Sequence, residues 1–200
     1  MHRACAALLG ALLAHPFSVA AETHYREAEV KAAFLYRFTG YVEWPATSLA
    51  APAFTIAILG STDVADELER LLPGRTVKSL PARLKRIRRL SELGDAQMLH
   101  IAASHPEIKQ VVNALGDKPI LVTDHSRGLD EGGIVNFLTL DRRIRFEISV
   151  AAAQRAKLKI GAELLSLAAS VRGAPDRAEA HCVICTCRSD TTCFAHAVPP

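Results

Sequence analysis

The stretch Phe54-Thr55-Ile56-Ala57-Ile58-Leu59-Gly60-Ser61-Thr62-Asp63 decides the fold. Its first six residues are apolar or β-branched, which suits a short buried strand, and Gly60 closes the run. Ser61 to Asp63 can cap a following helix, along which Val64, Leu68 and Leu71 recur on one face. A strand that feeds directly into a helix is the repeating unit of an α/β layer.

Outward from that unit the alternation continues. In residues 25–38, Val30, Ala33, Phe34 and Phe38 recur at helical spacing, with Arg26, Glu27, Lys31 and Arg37 on other faces; this reads as a core-facing helix. Pro45 and residues 46–52 read as a connection. Residues 76–80 and 97–102 read as further strands. Ser104-His105-Pro106-Glu107 has the form of a capping box with Pro at the first helical position, predicting a helix to about Leu115. Residues 119–123 suit a buried strand, and residues 134–140 and 144–150 suit two more around the turn Asp141-Arg142-Arg143. Residues 151–155 and 162–171 read as closing helices. The expected architecture is a single-domain layered α/β fold with a mixed, largely parallel sheet flanked by helices, the late hairpin supplying an antiparallel edge.

Two hundred residues, half of them apolar, support one domain with a real core. The formal net charge of +3 is too mild to demand nucleic acid. At the N-terminus His2 and Arg3 precede the apolar run of residues 4–14, and Ser18-Val19-Ala20 places small residues where a signal peptidase reads. Residues 1–21 are therefore expected to be an export signal cleaved after Ala20 or Ala21, the run being shorter than the roughly 20 residues that span a bilayer. Cys5 lies ahead of that run and does not read as a lipid anchor. The folded domain is expected over residues 22–172, because Gly173-Ala174-Pro175 ends the periodic pattern, and residues 173–200 read as a poorly ordered tail. Cleavage leaves Cys182, Cys185, Cys187 and Cys193, an even set for which an oxidising compartment favours disulfides in one of three pairings. Their close spacing, with His181 and His196 nearby, keeps a zinc or copper site as the alternative. No metal or other cofactor is assigned to the domain.

Three segments carry a resemblance. Glu29-Val30-Lys31-Ala32-Ala33-Phe34-Leu35-Tyr36-Arg37-Phe38 closed by Tyr41-Val42-Glu43-Trp44-Pro45, then Gly132-Gly133-Ile134-Val135-Asn136-Phe137, then Arg143-Ile144-Arg145-Phe146-Glu147-Ile148 resemble the YfiR family of small exported bacterial proteins, over roughly residues 27–171. The resemblance implies a periplasmic, non-enzymatic repressor. It would bind the periplasmic domain of an inner-membrane diguanylate cyclase and lower cyclic-di-GMP output; a homodimer is compatible with it. It also implies that Glu147, with Ala153 and Leu158 beyond it, belongs to the partner-binding surface. The relatives' cysteines sit within the folded domain, whereas residues 25–171 contain none here. The alternative function is a periplasmic small-ligand-sensing module serving a histidine kinase or transporter.

Trp44, Asn136 and Lys159 are the candidates for a small-ligand pocket, each weighed against a plainer reading. Trp44, with Tyr41 nearby, equally suits core packing. Asn136 is an amide in an apolar strand and must find partners, in a ligand or in neighbouring backbone. Lys157 and Lys159 flank Leu158 and could meet an anion or simply solvate an edge. Arg145 and Glu147 share one face of their strand, roughly 7 Å apart, and read as a solvated pair. The run Arg83, Lys85, Arg86, Arg88 and Arg89 reads as ordinary surface, an acidic partner or anionic lipid being the alternatives, since export removes nucleic acid. Asp124-His125-Ser126 are adjacent and cannot form a catalytic relay. Gly60-Ser61-Thr62 lacks the further glycines of a phosphate-cradling dinucleotide loop.

Overall fold

The computed structural model describes residues 19–102, 108–115 and 120–173. Most of the expected export signal, the capping box at residues 104–107 and the cysteines Cys182, Cys185, Cys187 and Cys193 lie outside the described residues. In chain order the elements are α1 (Val19–Phe38), β1 (Val42–Glu43), β2 (Phe54–Leu59), α2 (Thr62–Leu71), β3 (Thr76–Val77), β4 (Leu80–Ile87), β5 (Met98–Ile101), α3 (Ile108–Leu115), β6 (Ile120–Thr123), β7 (Val135–Leu140), β8 (Arg143–Ser149), α4 (Val150–Arg155), β9 (Lys159–Ile160), α5 (Ala162–Leu167) and β10 (Ser170–Arg172). Short 3-10 turns at Ala46–Leu49 and Leu90–Glu92 complete the connections.

One eight-stranded sheet runs in the order β10-β8-β7-β6-β5-β2-β4-β3. It is parallel from β7 through β6, β5 and β2 to β4, and again between β8 and β10. The β7–β8 and β3–β4 pairs are antiparallel. This is the mixed, largely parallel sheet that the strand and helix alternation predicts. Strand β2 is buried on both faces, as a central parallel strand must be. Ser61 caps α2, its Oγ accepting the Val64 N–H at 3.4 Å. Asp141 and Arg142, both at positive φ, close the β7–β8 hairpin in two residues.

Helices cover both faces. Ala28, Ala32, Leu35 and Phe38 of α1, with Val64 and Leu68 of α2, pack against Ile56, Ile58, Met98, Val122 and Phe137. On the opposite face Val111 and Leu115 of α3 pack with Ala57, Leu59, Leu99 and Ile101. The chain leaves β2 through α2 to reach β4 on one side, then places β5 on the other side of β2. That reversal makes the carboxyl ends of β2 and β5 a topological switch point.

Four details differ from the expectations. Helix α1 is rotated, so that Val30 is 39% exposed while Leu35 and Lys31 are buried. The small residues Ala28 and Ala32 let that face lie close to the sheet. The last helix stops at Leu167, because Ala168 is extended, and Ser170–Arg172 forms a strand beside β8. The basic run is mostly strand β4, separated from β3 by Lys78 and Ser79 at positive φ. Finally, β1 and β9 form a separate two-stranded ribbon tying the end of α1 to the segment before α5.

Candidate functional site

Strand alternation divides the polar side chains between the two faces of the sheet. On the α1 face, at the ends of β2, β5 and β6, lies a crevice of about 270 Å³ lined by Glu27, Lys31, Ser61, Asp63, Ala102 and Asp124 among others. Lys31 crosses from α1, with Nζ 2.7 Å from Glu27 Oε1 and 2.5 Å from Asp124 Oδ2. Burial opposes its charge, but the hydrogen-bonded carboxylates of Asp124 and Glu27 outweigh that and hold its pKa above the ordinary lysine value. Below it on β5, His100 is fully buried with neither ring nitrogen partnered. Desolvation, helped by the charge of Lys31, pushes its pKa down to about 3, so the imidazole is neutral.

On the opposite face a hydrogen-bonded chain runs across four strands. The Asn136 amide oxygen accepts from Thr123 Oγ1 at 2.7 Å and from the His125 N–H at 3.1 Å. Its Nδ2 donates to Glu147 Oε1 at 3.0 Å, and Glu147 Oε2 accepts from Ser170 Oγ at 3.2 Å and from Arg172 at 3.4 Å. Arg172 also meets Asp130 Oδ1 at 2.6 Å. Residues 124–133 close over this chain, and a Cβ on Gly128 would sit 2.0 Å from Thr123 Oγ1, so only glycine fits there.

A third feature is a shallow groove between the β1–β9 ribbon and Pro45, lined by Trp44, Lys157, Leu158 and Lys159 among others. Trp44 is largely a core plug: Nε1 donates to the Thr39 carbonyl at 2.9 Å and the ring packs edge-on against Phe54 at 4.7 Å. Lys159 is exposed and faces Glu43 across the ribbon at 3.4 Å.

The predicted residues therefore fall into two groups. Trp44, Leu158 and Lys159 share the groove, whereas Asn136 and Glu147 bond to one another about the β7–β8 ladder. The reading of Glu147 as solvated with Arg145 is corrected: Arg145 is exposed, but Glu147 is 8% exposed because the 124–133 loop and β10 cover its end of the strand. Ala153 and Leu158 are buried too, joined by the Leu158 N–H to the Ala153 carbonyl at 2.9 Å. None of these three offers its own side chain freely to a partner. Asn136 has protein partners on both ends of its amide. Asp124 and His125 diverge, the one to Lys31 and the other to within 3.8 Å of Glu131, so no relay forms.

Lys31, His100 and Thr123 escaped the sequence reading. The only local hint was the Glu27 to Lys31 spacing of one helical turn.

Fold and site together define a layered α/β domain with a crevice at the ends of its central strands. The chain belongs to the YfiR/HmsC-like family, whose model matches residues 28–169. This is a family of periplasmic, non-catalytic regulators acting with a membrane diguanylate cyclase. No helix among the described residues is long and apolar enough to cross a membrane. No curated protein matches. Among solved structures, the chain is similar to an ABC domain in complex with L-Trp from Streptococcus pneumoniae, at 13% identity and a TM-score of 0.43, covering 59% of this chain and 55% of that one. It is also similar to a conserved domain protein from Vibrio cholerae, at 12% identity and a TM-score of 0.41, covering 64% and 57%. The chain thus spans just over half the length of each, and neither likeness bears on function.

Proposed function

We propose that this protein is exported through its N-terminal signal and inhibits an inner-membrane diguanylate cyclase by binding the cyclase's periplasmic domain. The observation that carries the reading is the family match across residues 28–169, nearly all of the folded domain. Its own side chains make and break no bond. Inhibition is differential binding: the protein prefers the inactive state of the cyclase and shifts the equilibrium only by that difference in affinity. The proposed binding surface is centred on β8, with exposed Arg145 beside Glu147; Ala153 and Leu158 lie in the core on the other face of the sheet and support it only by packing. The groove holding Trp44 and Lys159 is the place for a small ligand that modulates it.

The test is co-purification of the tagged full chain with detergent-solubilised membranes, beside cyclic-di-GMP measured with and without the gene. A co-purifying protein with a cytoplasmic cyclase domain, and a rise in cyclic-di-GMP on deletion, are expected. Arg145→Glu should weaken capture without moving the melting temperature. Unchanged cyclic-di-GMP would sink the reading. The crevice around Lys31 favours a second one, a solute-sensing module, for which the captured protein would be a histidine kinase or transporter.

A further inference from the structure

We propose that the open outer edge of β4 takes up an extended acidic segment of a partner protein as a further strand of the sheet. The site is separate from the surface proposed at β8, because β7, β6, β5 and β2 lie between them; at about 4.8 Å per strand spacing the two stand roughly 24 Å apart. Backbone geometry is the first argument. Strand β4 runs for 8 residues, but β3 pairs with only Leu80 and Pro81 on its outer side. The Ala82 N–H also points outward, donating to the Arg75 carbonyl at 2.9 Å. Successive residues of a strand turn their backbone groups to opposite sides, so Leu84 and Arg86 point theirs outward as well, while Arg83, Lys85 and Ile87 turn theirs toward β2. Among the described residues nothing accepts the outward Leu84 and Arg86 N–H groups. The next outward amide, that of Arg88, donates to the Glu92 carboxylate at 3.0 Å. The edge already holds a carboxylate at that end, and two open donors lie between it and Ala82.

Charge names the occupant. Arg83 and Lys85 are exposed on the face of β4 away from α2, and Arg88 is exposed beyond them. Among the described residues no carboxylate pairs with the side chain of any of the three, whereas Arg86 on the other face is held by Asp66 and Glu69. A second copy of β4 would set like charges opposite one another, which is how cationic edges keep identical chains apart. An acidic strand is matched instead. Carboxylates at alternate positions fall across from Arg83 and Lys85, and the apolar residues between them fall beside Leu84, which packs against the core.

The probe is a peptide of alternating glutamate and valine, titrated into the full chain at low ionic strength and followed by calorimetry and amide hydrogen exchange. It should bind, and the Leu84 and Arg86 amides should then exchange at least about tenfold more slowly. The double variant Arg83→Glu, Lys85→Glu should keep its melting temperature and lose roughly tenfold or more in affinity. The same peptide N-methylated throughout keeps its charges but cannot form a ladder, and should not bind. Equal binding of the methylated peptide, unchanged exchange at Leu84 and Arg86, or full affinity in the double variant would each overturn the proposal. No heat with the peptide beside capture by phosphatidylglycerol vesicles would assign the cations to anionic lipid instead. Self-association of the chain that the double variant abolishes would assign the edge to a second copy.

Discussion

Glu147 accepts from three neighbours, Asn136, Ser170 and Arg172, from a position almost closed to water. Glu147→Arg therefore sets a second guanidinium beside Arg172 and strips Asn136 Nδ2 of its acceptor. The expected cost is roughly 2–4 kcal/mol, read as a lower urea midpoint; an unchanged midpoint would show that the hydrogen-bonded chain is not holding β10. Loss of partner capture by this variant would thus report on folding as well as contact, which is why exposed Arg145 is the better probe. His100 is the reverse case, a polar group without partners. Its unfolded form takes up a proton near pH 6.5, while the folded form resists down to about 3. The folded state is therefore penalised as pH falls through that window, by up to about 1.4 kcal/mol per pH unit, and is free of the penalty above it. His100→Leu should raise stability at pH 7 by about 1 kcal/mol and flatten the decline between pH 6.5 and pH 4. A variant as acid-sensitive as the wild type would assign that decline to other groups.

The β1–β9 ribbon pairs only Val42 with Ile160 and Glu43 with Lys159, apart from the main sheet. So small a ribbon holds few hydrogen bonds and should open without melting its surroundings. Its amides are expected to exchange with deuterium at least about 100-fold faster than those of β2 and β5. Equal protection would mean that the ribbon and sheet unfold together. Elements differ in how far local residues announce them. β2 and α2 were legible because Gly60 and Ser61 mark the junction by backbone and capping chemistry. The buried face of α1 was not, since Val30, Ala33, Phe34 and Phe38 match helical spacing as well as Ala28, Ala32 and Leu35 do. Strand β4 was hidden by its cations, and only pairing with β2 makes Ala82 and Leu84 its inner side. Alternation correctly put Glu147 and Arg145 on one face. The cover over Glu147 comes from residues 124–133 and 170–172, a long-range contact that no local pattern contains.

At the scale of the molecule, the layers built on the eight-stranded sheet place two polar systems back to back, one under α1 and one under the 124–133 loop. Thr123 and Asp124 are successive residues, yet the hydroxyl of the first serves Asn136 and the carboxylate of the second serves Lys31. A single peptide unit thus joins the two systems. Thermodynamic reciprocity then sets the terms of any communication through it. If an occupant of one side alters affinity on the other by some factor, the return influence has the same size.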